Sequence, residues 1–321
     1  MTNYNYMVSV ICITYNHGPY LKRALDGVLM QKVNFPMEVI IAEDCSTDNS
    51  REIINEYCEK NQGFFKVIYR EKNVGPRQNL KEAKDLAVGK YLIYLETDDC
   101  WTDPNKLQKQ VDWLENHPDT IAVTHRCRMI GHDDEILDIE YPAIKKGYYK
   151  WKDYLSDIMP GQTTSMLVRN YYKYPFFDSS LIDKPDRAKG PGDRRRYFML
   201  MNQGKIYCLD SCMSDYRFVQ SRGTSFAATN KVNLKNDILY YKEFVQYCKK
   251  IDATKTANRV AESLYMRTIW IAFLHKEEID FKQLLKEYSK CNYKIFDTIV
   301  VLIFYIKRLF RGKNYYYKKK R

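Results

Sequence analysis

The chain has 321 residues, 45% of them hydrophobic and 14% aromatic, which is enough to bury one large α/β core with an appendage, or two domains. Its formal net charge is +12, and residues 307–321 hold eight Lys or Arg with no Asp or Glu, so the first 306 residues carry only +4. This distribution argues against a broadly basic nucleic-acid-binding body, and we expect no nucleic-acid partner.

The cysteines indicate a reduced compartment. There are nine, an odd number, without a Cys-x-x-Cys pair, and no signal peptide precedes Met7. Cys208 and Cys212 could be interpreted as metal ligands, but no second pair accompanies them. We therefore expect a cytoplasmic protein with free thiols.

The first part of the chain alternates strand-like and helix-like patterns. Short apolar runs predict three strands, at 8–13, 37–42 and 65–69. An amphipathic helix pattern follows each run, and Gly89 is the expected C-cap of the third helix. Polar residues follow each predicted strand, at 14–19, 43–48 and 73–77. The order predicts a parallel sheet with right-handed crossovers, in which these strand ends meet at one edge.

The fourth predicted strand, 91–95, is the most informative stretch. Its odd-numbered and even-numbered residues are both apolar, as in a strand covered on both faces of a sheet. It stops at Glu96, Asp98 and Asp99, before a helix predicted to start at Asp103. Ligands of open α/β sheets bind in the crevice beyond such strand ends. Neighbouring carboxylates repel each other unless a cation shares their charge, and hard oxygen ligands suit Mg²⁺ or Mn²⁺. The alternative interpretation is a solvated acidic turn.

The pattern changes after the fourth strand. Residues 133–135, Asp-Asp-Glu, are interpreted as an exposed acidic loop without chemistry, and 161–169 as a strand. The aromatic and basic segment 141–154 is interpreted as part of a lip over the crevice. Residues 176–192 form a loop of a length that is uncommon unless it is functional or mobile.

Four motifs, in this order and spacing, resemble the family 2 nucleotide-sugar glycosyltransferases, which have the GT-A fold and invert the anomeric configuration. The motifs are Val-Ser-Val-Ile-Cys-Ile-Thr-Tyr-Asn at 8–16, Glu-Asp-Cys-Ser-Thr-Asp at 43–48, Asn-Val-Gly-Pro-Arg at 73–77 and Glu-Thr-Asp-Asp at 96–99. The resemblance implies an α/β fold with a GT-A type nucleotide-binding sheet and flanking helices. The glycosyltransferase domain would span residues 1–228.

The resemblance implies roles for residues of the first three motifs. Thr14, Tyr15 and Asn16 would line the pocket of the nucleotide base. Asp44 would accept a hydrogen bond from that base, usually uracil, because a carboxylate suits the N–H of a base. Arg77 would lie near the base or the phosphates.

The fourth motif would hold the sugar-phosphate end of the donor. By resemblance, Asp98 would bind the ribose hydroxyls, and Asp99 would bind the Mn²⁺ or Mg²⁺ that bridges the donor diphosphate.

Structural roles remain open as alternatives for residues of the first two motifs. Thr14 and Asn16 could cap the first helix, and Asp48 could be the N-cap of the second.

A second signature of the family begins at Asp193, which opens a predicted helix followed by a glycine turn, a strand and the pair Tyr216-Arg217. The resemblance implies that Asp193 is the catalytic base, and a simple N-cap is the alternative. The family often has an acid before this Asp and an aromatic residue after it, whereas Gly192 and Arg194 stand here. Arginines 194–196 could instead touch the donor phosphates or an anionic acceptor.

Residues 229–321 are predicted to form a helical extension with a basic tail. Three helices are expected, over 239–247, 260–273 and 281–288. The uncharged core of the last apolar segment, 298–306, is far shorter than the roughly 20 residues that span a bilayer. With the basic residues after it, this segment fits an anchor on an anionic membrane surface, at the inner face of the membrane. A core helix with a solvated basic end is the alternative.

The predicted function is transfer of a sugar from a nucleoside diphosphate donor, expected to be a UDP-sugar, to an acceptor hydroxyl in cell-surface polysaccharide or glycolipid synthesis. A non-catalytic nucleotide-sugar-binding protein of the same fold is the alternative, because Gly192 and Arg194 depart from the second signature. A nicotinamide-dependent oxidoreductase would need Gly-x-Gly-x-x-Gly after the first strand, where residues 14–19 contain only Gly18. The sequence leaves open the sugar, the acceptor and the oligomeric state.

Overall fold

A nine-stranded mixed β-sheet forms the centre of the molecule. The computed structural model describes residues 5–141, 143–173, 177–183, 187–219, 234–274, 279–292 and 318–319. The strands in this part of the chain are β1 (Val8–Thr14), β2 (Met37–Glu43), β3 (Phe65–Tyr69), β4 (Tyr91–Glu96), β5 (Cys100–Trp101), β6 (Thr120–Ile130), β7 (Ile139–Glu140), β8 (Gly147–Tyr148), β9 (Leu167–Arg169), β10 (Lys205–Arg217) and β11 (Lys318–Lys319). β7 and β11 pair with each other outside the central sheet.

Helices cover both faces of this sheet. The described helices are α1 (Gly18–Leu29), α2 (Ser50–Lys60), α3 (Pro76–Leu86), α4 (Lys106–Asn116), α5 (Trp151–Leu155), α6 (Ser180–Asp183), α7 (Gly192–Met201), α8 (Leu234–Lys250), α9 (Lys255–Leu274) and α10 (Phe281–Ser289). α1, α2 and α4 pack on one face through side chains such as Leu25 and Leu107. The other face is covered by α3, α7, α8 and α9, through Ala83, Phe198 and Phe244. Because helices cover both faces of the sheet, β1, β2 and β4 have apolar side chains on both faces.

The strand order is β3-β2-β1-β4-β9-β6-β10-β5, and β8 also pairs with β10. β1 is parallel to β2 and β4, and β2 is parallel to β3, which confirms the predicted parallel arrangement with helical crossovers. β9 lies antiparallel between β4 and β6, so the complete sheet is mixed. Thr14 pairs with Glu43 and Ile13 with Glu96, and the carboxyl ends of β1, β2 and β4 therefore lie side by side.

Two predicted helix ends differ from the structure. α4 begins three residues after Asp103, because the Asp103 carboxylate accepts a hydrogen bond from the Asn105 N–H (2.8 Å) in a turn that precedes the helix. α3 ends three residues before Gly89. Gly89 instead lies against β1, where a Cβ would come within 2.6 Å of the Ser9 nitrogen. Close packing, and not helix capping, explains the glycine.

The segment predicted as one strand over 161–169 divides into two parts. Thr163–Ser165 form a 3₁₀ turn, and only Leu167–Arg169 pair as a strand. We call Gln162–Ser165 the bridging turn. Its four polar side chains are buried, and the turn lets them reach partners that do not belong to the sheet.

The three helices predicted after residue 229 are present as α8, α9 and α10. Phe244 and Tyr247 of α8 and Leu264 of α9 belong to the same buried cluster as residues of the central sheet. The apolar segment 298–306 and the tail, apart from 318–319, lie outside the described residues. Within the described part of the chain, no helix combines the length and the hydropathy needed to cross a bilayer.

Candidate active site

The loops that follow the parallel strands are hydrogen-bonded to one another at a single edge of the sheet. The Asp44 N–H, just after β2, donates to the Thr14 carbonyl at the end of β1 (3.0 Å). The Thr97 N–H, just after β4, donates to the Ile13 carbonyl (3.1 Å). The motifs that the sequence places after β1, β2 and β4 are thus neighbours in space.

Asp44 connects the loop after β2 to the loop after β3. Its side chain is buried, and its two oxygens accept hydrogen bonds from the N–H groups of Val74 (2.8 Å) and Gly75 (2.9 Å). Gly75 has φ +83°, a conformation that a side chain would strain. These bonds fix the start of α3, where Arg77 lies exposed in the first turn. Arg77 is close to Arg187, and burial followed by the charge of Arg77 lowers the pKa of Arg187 to about 10.

The loop after β1 presents three predicted base-pocket residues in different ways. The Thr14 hydroxyl is buried, and no group in the described part of the chain hydrogen-bonds to it. Asn16 has φ +54°, a left-handed conformation that Asn tolerates, and its side-chain oxygen accepts from the Thr47 N–H (2.8 Å). The ring of Tyr15 is 41% exposed at the mouth of the loop. Thr14 therefore has a buried hydroxyl without a partner among the described residues, and Tyr15 has an exposed ring, whereas Asn16 holds the loop after β2.

Glu96, Asp98 and Asp99 form an acidic cluster at the end of β4. One carboxylate oxygen from each lies within 4.8 Å of the others, a spacing that suits a single hard cation. Asp99 is only 2% exposed. Burial, and then the negative charges of Asp98 and Glu96, raise the pKa of Asp99 well above its usual range. A divalent cation would remove this repulsion, so the chemistry of the cluster fits a bound metal ion.

Asp193 lies in the first turn of α7, as the second signature predicts. The Thr163 hydroxyl donates to one oxygen of Asp193 (2.8 Å). The next residue, Thr164, donates to Asp99 (2.9 Å), and the Gln162 amide donates to the same Asp99 oxygen. The bridging turn therefore donates hydrogen bonds both to the predicted base, Asp193, and to the predicted metal ligand, Asp99.

The family resemblance places the stretch 161–169 along the acceptor side of the pocket, but sequence reasoning assigned no role to the individual residues of the bridging turn. The available signal was the run Gln162-Thr163-Thr164-Ser165, four polar residues inside a stretch interpreted as a strand next to the core. Four consecutive polar residues are unusual in a covered strand, because a buried polar group needs a hydrogen-bond partner. The partners come from distant parts of the chain, and no local pattern could name them.

The three consecutive arginines of α7 have different environments. Arg194 forms an ion pair with Asp157, and Arg195 forms one with Glu243 of α8. Only Arg196 makes no ion pair in the described structure, and its guanidinium stacks on the ring of Tyr94, 4.6 Å from the ring centroid. Two of the three arginines thus stabilise the fold, and neither is available to a phosphate.

The acidic loop at 133–135 is exposed, as predicted, but one of its three acids is paired with arginines. Asp134 pairs with Arg217 and with Arg23, the latter at 2.6 Å. Arg217 also donates from Nε to the Asp98 carbonyl (2.9 Å) and from its main-chain N–H to Asp99 (2.8 Å). The Arg217 side chain therefore joins this loop to the acidic cluster, so the Tyr-Arg pair of the second signature has a structural contact with the fourth motif.

Comparison with known proteins identifies the class to which this fold and site belong. Residues 9–172, just over half of the chain, match glycosyl transferase family 2. The chain belongs to this family. The predicted family and its class, glycosyltransferase, are confirmed.

Two relatives show how much of the chain is shared. An uncharacterised protein of Mycobacterium tuberculosis is 40% identical over 164 residues, which cover 51% of this chain and 44% of that protein. The chain thus spans less than half the length of this relative. The putative teichuronic acid biosynthesis glycosyltransferase TuaG of Bacillus subtilis is 29% identical over 262 residues, which cover 78% of this chain and 97% of TuaG.

Solved structures show the same fold. TarS 1–349 of S. aureus, in complex with UDP-GlcNAc, superposes with a TM-score of 0.58 at 16% identity, over 88% of this chain and 79% of that one. The mannosyltransferase PcManGT of Pyrobaculum calidifontis, in complex with GDP-Man and Mn²⁺, superposes with a TM-score of 0.51 at 14% identity, over 94% and 87% of the two chains. The predicted GT-A fold is confirmed.

Proposed function

We propose that this protein is an inverting glycosyltransferase that moves a sugar from a UDP-sugar to an acceptor hydroxyl. The observation that carries the proposal is the bridging turn, which donates hydrogen bonds to Asp99 on one side and to Asp193 on the other. A displacement at the anomeric carbon needs charge stabilisation at the leaving diphosphate and a base at the attacking hydroxyl. One turn holds a group suited to each task.

The donor nucleotide would occupy the edge formed by the loops after β1, β2 and β3. The exposed Tyr15 ring offers an aromatic contact to a base, and the buried Thr14 hydroxyl at the end of β1 has no hydrogen-bond partner among the described residues. Asp44 has used one lone pair on each oxygen for the amides of Val74 and Gly75, which leaves others for the N–H of uracil. Binding of UDP-GlcNAc by TarS supports uridine, whereas binding of GDP-Man by PcManGT shows that the fold accepts guanosine also.

The remaining donor contacts concern the phosphates and the ribose. Half-buried Asp98 would accept hydrogen bonds from the ribose hydroxyls, and Arg77 would lie near the base or the phosphates. Asp99, with Glu96 beside it, would hold Mn²⁺ or Mg²⁺, and Mn²⁺ is supported by its presence in PcManGT. When bound, such an ion supplies positive charge that stabilises the departing nucleoside diphosphate.

Asp193 would act on the acceptor. Its carboxylate takes the proton of the acceptor hydroxyl as that oxygen forms its bond to the anomeric carbon and the bond to the diphosphate oxygen breaks. A single attack on the face opposite the leaving group inverts the anomeric configuration. The hydrogen bond from Thr163 occupies one oxygen of Asp193, and among the described residues no hydrogen-bond donor occupies the second, which would take the proton.

The acceptor and the location of the reaction are proposed from a relative and from the basic tail. The name of TuaG, a relative that aligns over 97% of its length, supports an acceptor in a cell-surface polysaccharide. The basic residues 307–321 support attachment of the protein to an anionic membrane surface on the cytoplasmic side, beside a lipid-linked acceptor.

Release of UDP from a panel of UDP-sugars, with Mn²⁺ or Mg²⁺ and with and without acceptor sugars, tests the proposal. Asp193→Asn should lower the rate of transfer by about 10²- to 10⁴-fold while UDP still binds, because general-base catalysis is lost. Asp99→Asn should lower it by about 10²-fold or more and weaken the dependence on Mn²⁺. The loss in Asp193→Asn concerns chemistry and should leave the unfolding temperature nearly unchanged in the presence of UDP.

Asp133→Asn is the matched control, since its side chain is 90% exposed and contacts neither the acidic cluster nor Asp193. It should keep full activity. Transfer that survives Asp193→Asn would show that the base is another residue. A chain that binds UDP-sugars but releases no UDP under any condition would instead support the non-catalytic binding protein.

A further inference from the structure

The bridging turn directs two consecutive threonines to two different carboxylates. Thr163 donates to Asp193 at 2.8 Å, and Thr164 donates to Asp99 at 2.9 Å. Successive residues of a 3₁₀ turn point about 120° apart, because the turn has about three residues per revolution. Neighbouring hydroxyls can therefore reach different groups, as they do here.

The main chain of the turn is hydrogen-bonded to buried side chains of the core. The indole N–H of Trp101 donates to the Thr164 carbonyl (3.2 Å), and the Gln110 amide donates to the Ser165 carbonyl (2.8 Å). The fully buried Lys106 ammonium donates to the Gln110 oxygen (2.8 Å) and lies 4.2 Å from the centroid of the Trp101 ring. The main chain of the turn is thus held from β5 and α4.

A third contact joins Gly161, the residue just before the turn, to the helix that bears Asp193. The Tyr197 hydroxyl of α7 donates to the Gly161 carbonyl at 2.7 Å. A Cβ at Gly161 would lie 2.6 Å from the Ser165 hydroxyl and 2.9 Å from the Thr124 Cβ, so the chain here is closely packed. Because the turn is fixed to β5, α4 and α7, it has little freedom to move with either carboxylate alone.

We propose that Thr163 and Thr164 are positioning residues with separate targets: Thr163 orients Asp193 for proton removal, and Thr164 orients Asp99 for the metal ion. The rigid turn then fixes the distance between the two halves of the reaction. This inference rests on the proposed function for the role of Asp193. A hydrogen-bonding partner of a metal ligand contributes about 10- to 100-fold in metal affinity or activity, and the effect should be confined to the carboxylate that each hydroxyl contacts.

The test uses the full chain and the substitutions Thr163→Val and Thr164→Val, which remove the hydroxyl and keep the shape. Thr163→Val should lower kcat about tenfold or more, because a misplaced catalytic group can cost up to about 10²-fold, with the KM for the donor and the Mn²⁺ concentration for half-saturation within about twofold of wild type. Thr164→Val should raise that Mn²⁺ concentration about tenfold or more, with kcat at saturating Mn²⁺ within about threefold of wild type. Thr163→Ser and Thr164→Ser retain the hydroxyl and should restore both quantities.

Calorimetric titration of Mn²⁺ in the presence of UDP measures the Thr164 effect without any transfer reaction. If wild type binds UDP and Mn²⁺ but transfers no sugar, the proposed function and the role of Thr163 fail together, while the titration still decides the role of Thr164. Equal changes of kcat and Mn²⁺ affinity in both valine variants, or a failure of serine to restore them, would overturn the inference. Alanine replaces valine at either position where the valine variant does not fold.

Discussion

Two properties of Asp99 disfavour its charged form in the metal-free protein. It is 2% exposed, and it lies beside the carboxylates of Asp98 and Glu96. Burial and these charges raise its pKa, although hydrogen bonds from the Arg217 N–H and the Thr164 hydroxyl act in the opposite direction. The folded state therefore retains a proton on Asp99 at pH values where the unfolded chain has lost it.

The pH dependence of stability follows from this difference. Because the folded-state pKa of Asp99 is the higher one, the metal-free protein should lose stability as pH rises above the pKa of an unfolded Asp, about 3.9, until it passes the folded pKa. A bound Mn²⁺ requires the ionised carboxylate, so the gain in unfolding temperature on adding Mn²⁺ should increase with pH. Thermal unfolding in EDTA and in Mn²⁺, from about pH 5 to about pH 8, measures both trends.

Asp99→Asn provides the comparison, because it removes the titrating group and leaves the other carboxylates. Its unfolding temperature should depend less on pH than that of wild type, and Mn²⁺ should raise it less at every pH. A gain from Mn²⁺ that is the same at low and high pH in wild type would contradict the assignment of Asp99 as the titrating metal ligand.

Some of the site residues could be identified from the sequence, and others could not. The positions of Asp98, Asp99 and Asp193 relative to strand and helix ends were predictable, because carboxylates after an apolar run or before an amphipathic one are local signals. The use of arginines 194–196 was not predictable. Arg194 and Arg195 pair with acids 37 and 48 residues away, and only the packing of the helices determines those partners.

At the scale of elements, α1 packs against β5 without room for a side chain at their contact. A Cβ at Gly27 of α1 would lie 2.9 Å from the Trp101 carbonyl oxygen and 3.0 Å from the Trp101 nitrogen, both main-chain atoms that cannot turn away. Trp101 in turn donates to the bridging turn. The close approach of α1 therefore contributes to the position of the turn.

Gly27→Ala should destabilise the protein, although the same change inside a helix usually stabilises it by up to about 1 kcal/mol. The added methyl group forces α1 away from β5, at a cost of about 1–3 kcal/mol. Urea unfolding measures the free energy. Gly192→Ala is the matched control, since its Cβ position at the start of α7 has no described heavy atom within 4 Å apart from its own neighbours in the helix, and its stability should be unchanged or higher. Equal effects of the two substitutions would contradict the close contact.

Predictability at this scale depends on whether an element is defined locally. β1 to β4 and their helices were predicted because apolar periodicity is a property of the segment itself. The bridging turn was assigned to a strand, because its stability comes from groups elsewhere: Asp99 is 63 residues from Gln162, and Ser165 accepts from Gln110, 55 residues away. A local pattern carries no information about such partners.

At the scale of the whole molecule, the C-terminal helices and the sheet share one core. Phe244 of α8 is fully buried and lies 4.6 Å from Phe198 of α7, measured between ring centroids. The ion pair of Glu243 with Arg195 joins the same two helices. The division at residue 228 remains a prediction about the limits of the glycosyltransferase domain, and shared packing makes it testable.

Phe244→Ala should lower the stability of the entire chain by about 3–5 kcal/mol, as expected for a large side chain removed from a core. Because sheet and helices share that core, we expect one unfolding transition that moves as a unit. Leu239→Ala on the same helix is the control, since Leu239 is 50% exposed and should change stability little. Circular dichroism and tryptophan fluorescence, followed during thermal unfolding, should coincide. Two separate transitions, with only one affected by Phe244→Ala, would show that residues 229–321 fold independently.

The contact of Arg217 with Asp99 has a consequence for how the protein is synthesised. The main-chain N–H that completes the hydrogen bonds of Asp99 comes from the last residue of β10, 118 positions later in the chain. When a ribosome has made the whole segment 9–172, neither this N–H nor Asp193 yet exists. A sugar nucleotide therefore cannot assist folding of the emerging sheet through a finished site until residue 217 of 321 has left the exit tunnel.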